Sequence, residues 1–352
     1  MDTPVASRFI ARSVTPLALF ASAFLLIQQP SVAADAGPAA PATPPAAAPA
    51  AAPAAAPRGG APVPRGGAPA APLTFTPSVP APVPAAVAIP RPTTQEVEQL
   101  NASLARMTAQ ADPATKALLA KYPDVIAVRP PRANPVVIPS LSAGFRTKHN
   151  NNLEVAKQGD VDLLFMGDSI TDFWRNTGAP GVVNPPTAGK VVFDKYFGSM
   201  KVANFGISGD TTQGVLYRLL AGEGRGFQPK AIMLMIGTNN STAASSAEIA
   251  EGVGAIVMEM RKDFPAAKIL LLAIFPRGDP GSVARKTVLD VNPIIAKLAD
   301  SRNVFYLDIG AKFLDAEGNL PADIMPDKLH PTEKGYEIWA QAVIEPLKNL
   351  LK

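Results

Sequence analysis

The chain has 352 residues, 38 of them proline, a formal charge of +4 and no cysteine. The lack of cysteine excludes disulfides, thiolate metal sites and a cysteine nucleophile. Without basic clusters there is no electrostatic footprint for nucleic acid. Because most prolines precede residue 140, the globular part is roughly 200–250 residues, one α/β domain.

Arg8 and Arg12 precede an apolar run over residues 17–27, and Ser31-Val32-Ala33 precedes Ala34. That order is a secretory signal over residues 1–33, cleaved after Ala33, and it predicts export to the periplasm or beyond. The run is short for a spanning helix, so an uncleaved anchor is the weaker reading. Residues 34–92 are almost wholly Ala, Pro and Gly, with PRGGAP repeated from Pro57 and Pro64. This composition predicts a disordered spacer that adds nothing to a core and is dispensable for the domain's chemistry.

A lead-in follows over residues 93–140. Val97, Leu100, Leu104, Met107, Leu118 and Leu119 recur at helical steps. They predict one or two short helices broken near Asp112-Pro113. A proline-rich passage over 129–139 then opens onto the domain proper, 141–352. There, apolar runs predict strands at 163–166, 202–205, 231–236, 269–275 and 304–307. Helical periodicity predicts helices near 211–220, 247–262, 284–300 and 333–350, with a helix or loop near 190–197. Strand and helix in alternation predict parallel βαβ units with helices on both faces of one sheet.

The first strand stops at Gly167-Asp168-Ser169. In open α/β sheets ligands bind at the carboxyl edge, so Ser169 is a candidate nucleophile; a simple turn is the competing reading. A serine needs a base and the base needs an orienting group. Only two histidines exist. His330 lies three residues after Asp327 in DKLHP, a spacing that lets the carboxylate meet one imidazole nitrogen, although a surface histidine beside a turn former would look the same. His149, flanked by Arg146 and Lys148, reads as structural or solvent-exposed. Two further loops leave strand ends, NFGISGD over 204–210 and GTNN over 237–240. They offer glycine backbone N–H groups and the Asn239 amide toward an oxyanion. Ser208 is the rival nucleophile, discounted because Asp210 breaks the G-x-S-x-G elbow.

Taken together, GDSITDFW, FGISGDTTQGVLYRL, GTNN, FPRG over 275–278 and DKLHPTEKGY resemble the GDSL, or SGNH, hydrolase family. The resemblance spans residue 162 to the C-terminus and is strongest to its platelet-activating-factor acetylhydrolase and bacterial esterase branch. It implies a flavodoxin-like three-layer α/β sandwich with a five-stranded parallel sheet. By position it implies a triad of Ser169, Asp327 and His330, and oxyanion donors at the Ser169 and Gly209 backbone N–H groups and the Asn239 side chain. No cofactor or metal is implied. The expected activity is hydrolysis of short acyl esters, acetyl foremost, of carbohydrate or lipid. Glycan binding or acyl transfer at the envelope on the same scaffold is the alternative. The partners expected are the small ester or acetylated glycan, the envelope or cell wall through the spacer, and a second copy of the chain; no nucleic acid is expected.

Overall fold

Residues 163–167 are buried without exception and form β1 (Leu163–Gly167). A strand with no exposed face has to sit inside a sheet covered on both sides. Accordingly, β1 pairs in parallel with β2 (Val202–Asn204) on one side and with β3 (Ala231–Met235) on the other. Beyond β3 lie β4 (Lys268–Leu272) and β5 (Val304–Leu307), also parallel, in the order β2-β1-β3-β4-β5. In the computed structural model the described residues are 79–122, 127–176 and 189–352. The signal segment and the spacer as far as residue 78 lie outside them.

Side-chain alternation along the strands divides the core in two. Leu164, Met166, Ile232, Leu234, Ile269 and Leu271 face α6 (Thr212–Arg218), α7 (Ser246–Asp263) and α8 (Val283–Ile295). Leu163, Phe165, Met233, Met235, Leu270 and Leu272 face α5 (Gly189–Phe197) and α9 (Glu333–Leu350). The result is the expected three-layer, five-stranded parallel sandwich. Its strand order places the topological switch between β1 and β3, where a crevice opens at the carboxyl ends of the strands.

Ahead of the sheet, the apolar stripe over 93–121 forms two helices, α1 (Thr94–Gln110) and α2 (Pro113–Lys121). Asp112 caps the second through the Ala114 and Thr115 N–H groups. A further helix, α3 (Arg146–Gln158), went unread in the sequence, because its inward face carries His149 and Asn152 in place of aliphatic residues. Toward the C-terminus, the apolar run after Leu272 stays buried but leaves the strand. Residues 219–223 continue α6 as a π turn, not as regular helix.

Contact with the folded body begins well before Leu141, inside the stretch read as spacer. Ala81 donates its N–H to the Val137 carbonyl at 2.8 Å. Val87 is buried over Gly254 of α7, where a Cβ would meet the Val87 Cγ2 at 2.6 Å. Only glycine lets the strap lie that close. Arg91 then grips the buried Glu251 carboxylate with two bonds, 2.6 and 2.7 Å. Ile89 N–H and Asn134 Nδ2 also donate to it, both at 2.8 Å. Composition had predicted disorder to residue 92; a few apolar and charged side chains suffice to fix the last part of the segment.

Candidate active site

At the carboxyl end of β1 the chain turns at once into the short helix α4 (Ser169–Asp172), capped by Asp168, whose Oδ1 accepts the Ile170 N–H at 3.0 Å. Tyr336 of α9 donates its hydroxyl to the Ile170 carbonyl at 2.7 Å, clamping α4 from below. Ser169 is thereby held between a core strand and a core helix. Its Oγ lies 2.9 Å from His330 Nε2, and His330 Nδ1 lies 2.6 Å from Asp327 Oδ2. Residues 161 positions apart in sequence are thus joined in one hydrogen-bonded line.

Asp327 and His330 meet because the turn between them is fixed. Asp327 Oδ1 accepts the N–H groups of Leu329 and His330 at 3.1 and 2.8 Å, and Lys328 adopts a left-handed φ of 59°. Gly278, from the FPRG segment after β4, donates to the Lys328 carbonyl at 2.8 Å. Buried Arg285 in turn binds the Arg277 and Gly278 carbonyls. Burial works to raise the Asp327 carboxyl, but the backbone N–H and imidazole of His330 hold it below its ordinary value. It is therefore an anion facing the imidazole, suited to stabilising positive charge there.

The loop after β2 packs on α4. Ile207 donates its N–H to the Gly167 carbonyl at 3.2 Å, and the Ser208 hydroxyl donates to Asp172 Oδ2 at 2.7 Å. Ser208 is engaged with a carboxylate and has no imidazole beside it. Next comes Gly209, exposed and left-handed at φ 84°. Asn239, in the turn after β3, donates Nδ2 to the Asp210 carbonyl at 2.8 Å, which leaves its second amide N–H for another acceptor. Arg277 pins the same turn by donating to the Thr238 carbonyl at 2.7 Å. Gly209 and Asn239 are therefore linked through Asp210, on a loop bonded to the strand end that carries Ser169.

Behind this loop lies a fully buried ionic network. Arg218 donates Nε to Asp210 Oδ2 at 2.9 Å, and its other arm meets Glu223. Glu223 also meets His149 Nδ1 at 2.7 Å and accepts from Asn152 at 3.2 Å. His149 is accordingly structural and buried, with its carboxylate partner 74 residues away in sequence. Sequence spacing could not supply Glu223 as a partner.

Three residues close to Ser169 carry no role in the sequence analysis. Phe173 packs against the His330 ring in a tilted arrangement, centroids 4.9 Å apart and planes at 35°. Asp172 anchors Ser208. Asp168, buried, has its carboxyl pushed up to about 7, chiefly by burial and further by the Asp210 carboxylate, against the Ile170 N–H and Arg277. All three belong to the GDSITDFW stretch, so the signal lay next to the serine already singled out.

These groups converge at the carboxyl edge of a three-layer α/β sheet, where open sheets of this kind bind their ligands. Residues 165–338 match the GDSL-like lipase/acylhydrolase family. The chain is 31% identical over 227 residues to the platelet-activating factor acetylhydrolase IB subunit alpha2 of Rattus norvegicus, covering 62% of this chain and 93% of that protein. To the alpha1 subunit of the same species it is 27% identical over 224 residues, covering 63% and 90%. A GDSL-like lipase structure from Bacteroides thetaiotaomicron is similar at a TM-score of 0.44 and 19% identity, covering 59% of this chain and 98% of that one. The chain belongs to the GDSL-like lipase/acylhydrolase family and is a carboxylic-ester hydrolase.

Proposed function

We propose that the protein is an exported serine esterase that removes short acyl groups, acetyl foremost, from carbohydrate or lipid alcohols. The observation that carries the reading is the continuous Ser169–His330–Asp327 line at the end of β1. His330 Nε2 takes the Ser169 proton as Oγ bonds to the ester carbonyl carbon, and the carbonyl oxygen becomes an oxyanion. The N–H groups of Ser169, Gly209 and Asn239 receive that charge. The C–O bond to the alcohol breaks, and the alcohol leaves with the proton from His330. Water then gives a proton to His330 and its oxygen to the acyl carbon, and Ser169 departs reprotonated with release of the carboxylic acid. Throughout, Asp327 holds the imidazole tautomer and stabilises its charged form.

Export rests on the arginine, apolar and small-residue order of residues 1–33. Association with the envelope through residues 34–78 belongs to the same proposal. Among the described residues no helix is long and apolar enough to cross a membrane. The test is hydrolysis of p-nitrophenyl esters from acetate to palmitate by the wild type and Ser169→Ala. Turnover that falls with chain length and vanishes in the variant supports the reading. Equal turnover by the variant overturns it.

A further inference from the structure

Beside Gly209 the surface sinks into a concavity of about 450 Å³, within the range of small-ligand clefts. One wall is the loop that starts α6; the other is the segment over 140–145, which has Ser140 N–H bonded to the Gln213 carbonyl at 3.1 Å. Phe145 forms the lip by Gly209, with Cζ 3.4 Å from where a Cβ at that position would stand.

The lining mixes hydroxyl and amide groups with two apolar side chains. Ser140, Ser142, Thr211 and Gln213 line it. Ser142 and Thr211 stand at helix starts, yet neither side chain caps its own helix. Among the described residues those hydroxyls have no hydrogen-bond partner. Gln213 Oε1 accepts Asn240 Nδ2 at 2.9 Å, which fixes the amide plane and leaves its Nε2 donor without a partner among the described residues. The apolar side chains are Leu141 and Phe145, too few for an alkyl chain. Among the described residues the one charged liner is Asp210, whose carboxylate is committed to buried Arg218. A phosphate would find no cation there, and a quaternary ammonium would find one ring, not a cage.

We infer that this concavity is a carbohydrate subsite that receives the alcohol portion of an O-acetylated sugar. Hydroxyl and amide groups beside one aromatic ring match a pyranose, whose hydroxyls take the polar groups and whose C–H face meets the electron-rich ring face. The inference rests on the esterase reading, since it places the ester carbonyl oxygen at Gly209. An acetyl group is too small to need this volume, so the occupant is the leaving alcohol. The residues that build the site come partly from the segment ahead of the strands, making that segment a specificity element.

The test compares kcat/KM for a per-O-acetylated methyl xyloside, for p-nitrophenyl acetate and for a 2-acetyl glycerophosphocholine in the full protein. Phe145→Leu keeps apolar bulk without the ring, Phe145→Trp restores a ring, and Gln213→Glu keeps the acceptor for Asn240 while removing the outward donor. Each variant is first checked for wild-type circular dichroism and thermal unfolding. The ratio of sugar ester to p-nitrophenyl ester should fall roughly tenfold in Phe145→Leu and in Gln213→Glu, mainly through KM. It should recover in Phe145→Trp. An unchanged ratio in both variants overturns the subsite while leaving the esterase intact. A wild-type preference for the phosphocholine ester over the sugar ester also overturns it. If the wild type fails to cleave p-nitrophenyl acetate, the esterase reading itself falls and takes the subsite with it.

Discussion

Phe173 packs against His330 with centroids 4.9 Å apart and planes tilted by 35°, while Asp327 bonds the same imidazole at Nδ1. The ring is thus packed against Phe173 and bonded at one nitrogen, and its second nitrogen is left toward Ser169. Rigid placement of this kind makes the single substitutions interpretable. Ser169→Ala and His330→Ala should each lower kcat by several orders of magnitude with the fold intact. Asp327→Asn should cost on the order of 10⁴ through the wrong tautomer. His149→Ala should spare the chemistry by comparison and act on stability. A live His330→Ala enzyme beside a dead His149→Ala enzyme would reverse the assignment.

Asn239 is anchored through one amide N–H on the Asp210 carbonyl. Asn239→Ala should lower kcat about 10²–10³-fold, roughly 2.7–4 kcal/mol, with little change in KM. Steady-state kinetics on p-nitrophenyl acetate decides it; a change confined to KM would make Asn239 a binding residue.

Arg218 has no exposed surface and separates two buried carboxylates, Asp210 and Glu223. Arg218→Met fills a similar space but leaves those carboxylates without their cation. The loss should be about 3–5 kcal/mol in urea unfolding. Because Asp210 also carries the acceptor for Asn239, residual activity should fall as well. A loss under about 1 kcal/mol would mean that the network rearranges without its centre.

Asp168, its carboxyl pushed up to about 7 by burial, binds its proton more tightly folded than unfolded. From its unfolded value near 4 up to about 7, the folded state therefore holds more protons, and stability falls as pH rises through that window. Full displacement amounts to on the order of 4 kcal/mol. Asp168→Asn keeps a helix-capping side chain and should flatten the pH dependence of Tm between pH 4 and 7. An identical slope in the two proteins would locate the proton elsewhere.

Arg91 reaches Glu251 from the strap that composition alone assigned to the spacer. Deleting residues 37–78 should leave hydrolysis of a soluble ester unchanged. Extending the deletion to residue 92 should lower Tm, because Val87 and Arg91 leave Gly254 and Glu251 uncovered. Arg91→Ala alone should cost about 1–3 kcal/mol, as for a hydrogen-bonded ion partner of a buried charge. Equal Tm values for the two deletions would show that the strap is incidental to stability.

The sequence by itself determined the strands, their alternation with helices and the place of Ser169 at the end of β1. Buried parallel strands must be apolar on both faces, and β1 announces itself by a run ending in Gly-Asp-Ser. The Asp327–His330 pair was also legible, because three residues of turn bring the two side chains together locally. What only the tertiary structure decided were the contacts made across long sequence separations. Glu223 meets His149 because α3 and the end of α6 are neighbours in space. Arg91 meets Glu251 from 160 residues away, and no composition rule distinguishes that arginine from those in the repeats beside it. The concavity at Gly209 likewise needed the 140–145 segment to be placed against α6. Local pattern reports how each piece of chain meets its nearest neighbours and water; which distant polar group completes a buried charge depends on packing, and packing is settled only when the whole chain has folded.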